Sequence, residues 1–109
     1  MTTAFVNRGE SLDYVNTGSS KIEAGDIVSL TSRIGVAGSD IPAGETGAVE
    51  VIGLFDMPAT ATGAVAVGTE LYFDGTGITD TKGESGVAAG YCAKAFAAGD
   101  ATIRVKLLG

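Results

Sequence analysis

The 109-residue chain has no histidine, no tryptophan and a single cysteine, and it sets 7 lysines and arginines against 13 aspartates and glutamates. Without histidine there is no Ser-His-Asp or Cys-His nucleophile system, no common general base and almost no route to a catalytic zinc site. One thiol, Cys92, excludes an intrachain disulfide, so stability must come from packing, a bound partner or oligomerisation. A net charge of −6 repels phosphate backbones and anionic lipid, which disfavours nucleic acid and membrane surfaces as partners. No stretch approaches the roughly 18 consecutive apolar residues of a membrane span, and MTTAFVNRGE has neither the basic nor the apolar region of a secretion signal.

Nucleotide chemistry lacks its motifs as well. None of Lys21, Lys82, Lys94 and Lys106 follows a glycine, as the lysine of a phosphate-cradling loop must, and Gly75-Thr76-Gly77 runs into Ile78-Thr79-Asp80 without the third glycine of a dinucleotide fingerprint. Asp74 to Asp80 places oxygens at alternate positions, as calcium loops do. Ile78 and Thr79 then stand where a ligand and a glycine belong, and Ser85 replaces the bidentate glutamate, so the segment reads as a hairpin turn. The acids form no Asp-Thr-Gly or Asp-Ser-Gly element and have no tryptophan platform for a sugar cleft. The residues name no catalytic group, no metal ligand, no cofactor and no small-molecule substrate; the expectation is a protein that is not an enzyme.

What is abundant is glycine, at 17 residues, within a sequence that is 45% hydrophobic but rich in alanine. The core must be thin, and oligomerisation is the expected remedy. Short alternating apolar segments separated by glycine turns predict an all-β fold, a small distorted β-barrel or β-clip-like domain with at most one short helix. Strands are predicted over Leu12 to Asn16, Ile27 to Thr31, Arg33 to Ala37, Thr46 to Phe55, Glu70 to Phe73, Gly77 to Thr79, within Gly86 to Phe96, and Ala101 to Leu107. Val49 to Phe55 is almost continuously apolar and predicts a central strand covered on both sides. Met57 to Val67 is open between loop and short helix. Ala24-Gly25-Asp26, Ala43-Gly44-Glu45, Val67-Gly68-Thr69 and Ala98-Gly99-Asp100 each precede a strand, which predicts repeated turn chemistry; unequal spacings argue against a true duplication. Cys92, in an alternating run without an activating neighbour, reads as a small packing residue. Tyr72, Phe73 and Phe55 read as core aromatics.

The order of the segments is informative in its own right. Ala4-Phe5-Val6-Asn7-Arg8-Gly9-Glu10, Gly25-Asp26-Ile27-Val28, Gly35-Val36-Ala37, Val51 to Pro58, Gly68 with Leu71-Tyr72-Phe73-Asp74, and Gly99 to Leu107 together resemble a family of small tailed-phage and prophage proteins associated with capsid decoration, or cement, over essentially the whole chain. Phe73 stands where relatives commonly carry tryptophan, and Ala59 where a lysine often follows the proline. The resemblance implies a homotrimer that binds the major capsid protein lattice and stabilises the phage head, made in the host cytoplasm and residing on the capsid surface of the virion. Residues 1–9 are expected to form an N-terminal arm and 10–109 a single β domain. Phe5, Val6 and Asn7 are the expected capsid-binding residues, an apolar pair with its polar neighbour ahead of the first turn signal, suited to adding a strand to an exposed edge. A carbohydrate-binding or adhesin-like β module is the alternative reading.

Overall fold

The computed structural model describes residues 2–84 and 86–108, the side chain of Leu108 excepted; Met1, Ser85 and Gly109, and with them the first position of the expected arm and the last of the calcium-loop comparison, lie outside the described residues. Nine strands and no helix occur among them: β1 Ser11–Val15, β2 Ile27–Ser29, β3 Ile34–Ala37, β4 Thr46–Glu50, β5 Ile52–Pro58, β6 Glu70–Phe73, β7 Ile78–Thr79, β8 Val87–Cys92 and β9 Thr102–Leu108. They form two antiparallel sheets, ordered β1-β4-β3-β2 and β5-β9-β8-β6-β7. The all-β expectation holds, and the two sheets do not close into one barrel. Met57 to Val67 beyond the end of β5 is loop, punctuated by single bridges at Ala59 and Val65.

The chain passes from the first sheet to the second at Val51, between β4 and β5. This corrects the expectation of one central strand from Val49 to Phe55. β4 lies inside its sheet, but β5 is the outermost strand of the other, with Ile52 and Leu54 exposed. An apolar run shows that a strand is apolar on both faces, not that both faces are covered. The strand that is covered on both faces is β3, buried at Ile34, Gly35, Val36 and Ala37. Ile34 and Val36 join a cluster with Met57, Leu71, Ile78, Cys92, Phe96, Ile103, Val105 and Leu107, while Ala37 joins a smaller one with Val28, Ile41, Val49 and Val51. The thin core is therefore split in two, with the first sheet between the parts.

The recurrent turns are built alike. Asp26 N–H donates to Glu23 O at 3.0 Å, Glu45 to Pro42 at 3.0 Å, Thr69 to Ala66 at 3.2 Å and Asp100 to Ala97 at 3.1 Å. Their glycines, Gly25, Gly44, Gly68 and Gly99, hold φ between 82 and 92°, the conformation a type II turn requires at its third residue. They also come in pairs, because Ile22 bridges Ile41 and Val65 bridges Phe96. Gly25 and Asp26 exchange hydrogen bonds with Ala37 at 2.8 and 2.9 Å, and Gly68 and Thr69 exchange the same two with Cys92, again at 2.8 and 2.9 Å. The two halves thus repeat one bonding scheme. Their spacings differ because the second pair of turns encloses three strands, β6, β7 and β8, where the first encloses only β2 and β3.

Candidate functional site

Residues 2–9 belong to no strand, and residues 2–8 are exposed, Phe5 at 85% and Val6 at 86%. Asn7 behaves differently from its neighbours. Its side-chain oxygen accepts the Gly9 N–H at 2.6 Å, closing a local turn in which Gly9 takes a φ of 71° and sends the chain into β1. The root is then fixed by Val51 N–H donating to Glu10 O at 2.9 Å, so the arm emerges beside the junction of the two sheets.

On the other side of β4 lies a cavity of about 420 Å³, bounded by Val36, Ala37 and Gly38 of the β3 region and by Phe55, Asp56 and Met57 of β5. Beyond it the outer face of β5 carries Ile52, 42% exposed, and Leu54, 58% exposed. Reading the segment as a doubly covered strand hid this surface; the signal that finds it is Pro58, a residue without an N–H that sheets tolerate at an edge.

The polar side chains near these surfaces are committed to one another. Arg104 grips Asp56 through two bonds, Nε to Oδ1 at 2.9 Å and Nη2 to Oδ2 at 3.2 Å. That contact first, then the charges of Arg104 and Lys94, holds the Asp56 carboxyl below its ordinary pKa, so it stays ionised near neutrality and is no proton donor there. Asp74 accepts the Thr60 hydroxyl at 2.7 Å and the N–H groups of Thr76 and Gly77, both at 2.9 Å, which holds its pKa down as well and makes the β6-β7 turn a braced one rather than a merely solvated one. Cys92 is buried and its thiol donates to Lys94 O at 3.0 Å, as a packing residue should. Phe55 and Phe73 pack on the larger core. Tyr72 departs from expectation: it is half-buried and its hydroxyl donates to the Glu70 carboxylate at 3.1 Å, an arrangement that gives the phenol a polar partner at the surface. The aromatic that fills the core is Phe96.

No curated protein and no solved structure matches the chain. The profile of the phage cement proteins does, over residues 6–107, which is every strand of both sheets and the base of the arm. With a match of that extent, this chain belongs to the phage cement protein family.

Proposed function

We propose that the protein decorates the phage head as a homotrimer, binding the major capsid protein lattice through residues 2–9 and stabilising the assembled shell in the virion. The observation that carries this reading is the family match across residues 6–107. The exposed pair Phe5-Val6 on an arm rooted at Glu10 supplies the contact: an extended segment adds to a sheet edge, its backbone giving hydrogen bonds and its alternate side chains finding pockets. Asn7 shapes the base of that arm. A trimer facing a symmetric lattice engages several sites at once, so contacts weak by themselves become effectively intramolecular after the first. The split core supports the oligomer, since neither part is large. The protein performs no catalysis in this role; the two carboxylates most engaged, Asp56 and Asp74, are used to hold structure.

Truncation of residues 2–8 tests the arm. The truncated protein should lose co-sedimentation with expanded heads while its Tm at high dilution stays unchanged, because the removed residues are exposed. A collapsed melting transition would make Phe5 and Val6 core residues. Retained co-sedimentation would move the capsid contact elsewhere.

A further inference from the structure

We propose that the arm of one copy docks, as an added strand, on the open edge of β5 in a second copy. Among the described residues β5 pairs along one side only, with β9. Ala59 N–H donates to Ala101 O at 3.0 Å in the same register, so by the alternation of an antiparallel ladder Gly53, Phe55 and Met57 turn their backbone groups to β9. The backbone N–H and C=O groups of Ile52, Leu54 and Asp56 then point to the open side, and of these residues Asp56 lines the cavity of about 420 Å³ between β5 and β3. An unpaired edge of this kind is a template for another strand.

The arm has the matching properties. Consecutive residues of a strand face opposite sides. Docked on β5, an extended arm therefore sends one of Phe5 and Val6 into the cavity, against Val36 and Met57, and lays the other beside exposed Leu54. This accounts for two apolar residues side by side, where a strand with one covered face needs them alternating. Charge agrees, with Arg8 at the base of the arm and Glu50 on the cavity wall. The occupant is a second copy rather than the chain's own arm because of the sides involved. The bond from Val51 to Glu10 roots the arm on the β1 flank of β4, whereas the cavity lies on the β3 flank, so the chain's own arm would have to cross β4. The proposal deepens the reading of the arm as an attachment segment, giving it a second receptor that competes with the capsid.

The test uses two full-length variants, Phe5→Cys and Leu54→Cys, each also carrying Cys92→Ala, mixed and treated with a short bismaleimide. A covalent dimer is expected from the mixture and is lost when either variant is omitted. Absence of that dimer with both proteins folded by circular dichroism overturns the proposal. So does a chain carrying both substitutions that links internally, equally well at every dilution, since its own arm then fills the edge. Light scattering gives an independent readout: removing residues 2–8 should abolish concentration-dependent association, and unchanged association is evidence against strand exchange. None of these measurements contains capsid, so loss of head co-sedimentation on truncation can stand while the exchange fails.

Discussion

Asn16 is a polar side chain held at 3% exposure, and its contacts explain how so small a core tolerates it. Its Nδ2 donates to Ser20 O at 2.8 Å and to Ile41 O at 2.9 Å, and its Oδ1 accepts the Gly18 N–H at 3.0 Å. One amide thus pins the loop after β1 to the segment that covers the smaller core. Replacing it by leucine strips these bonds from the Ser20 and Ile41 carbonyls and from the Gly18 N–H, the Ile41 carbonyl keeping only the Ile22 N–H at 3.0 Å, and Asn16→Leu should cost about 1–3 kcal/mol, read as a lower denaturant midpoint; an unchanged midpoint would show that water replaces the amide without loss. Asp74 gives the pH counterpart. Its folded pKa is lowered chiefly by the Thr60 hydroxyl and then by the Gly77 and Thr76 N–H groups, so the folded chain binds the proton less readily than the unfolded one. The stabilisation is complete above the ordinary carboxylate range, near pH 4, and is lost as pH falls through the lowered value. Tm should therefore drop on acidification, and drop less in Asp74→Asn than in the parent; parallel curves would remove Asp74 from the acid response. Asp40, lowered first by the Ala24 N–H and then by Lys21, and Asp56 act in the same direction.

Among the elements, β8 carries the tightest constraint. The β6-β8 register shifts between Leu71, opposite Gly90, and Tyr72, opposite Ala88, which leaves Ala89 as the extra residue of a bulge. Gly90 has a φ of 128°, and a Cβ there would collide with the Lys106 carbonyl oxygen of β9, backbone that cannot step aside. Gly90→Ala should lower the chemical midpoint severely or prevent folding, whereas Gly63→Ala, with open space around it, should be nearly silent; similar behaviour of the two would show that the bulge relaxes. The bulge was not legible in the sequence, because Ala88-Ala89-Gly90 has no pattern that marks which residue is extra. The turns were legible, since Ala-Gly-Asp before an apolar run allows few backbone paths. Most strands were legible to within a residue or two, but Thr46 to Phe55 merged β4 with β5, which runs on to Pro58 in the other sheet, and β2 ends early because Thr31 takes a left-handed φ of 67° to make the turn into β3. Double burial was assigned to the wrong strand for a physical reason: β3 fits between two cores only because Gly35 and Ala37 are small, and small residues carry almost no hydrophobic signal. Of the candidate site, the exposed arm stood out as an apolar pair among polar residues. The proposed receptor edge of β5 did not, because which edge of a sheet stays open is fixed by pairings between distant segments.

At the scale of the whole molecule, the break at Val51 decides how the parts depend on one another. The smaller core, Val28, Ala37, Ile41, Val49 and Val51, is closed by loop segments and by a sheet whose edge strands are β1 and β2. The larger core draws on both sheets, through Ile34 and Val36 from one and Leu71, Ile103 and Val105 from the other. The proposed attachment through the N-terminal arm would make this asymmetry mechanical. On the proposed attachment, tension on the arm would enter at Glu10, whose carbonyl accepts the Val51 N–H, then reach the five-residue ladder of β1 on β4, and only afterwards the larger sheet. Pulling one molecule from its N-terminus against a fixed C-terminus should therefore give two extension steps, the first releasing β1 and the smaller core, the second the rest; a single step would mean that both cores yield together. A head swelling under packaged genome would then stretch a fuse, in which one edge strand gives way and re-forms while the body of the molecule stays folded at its post.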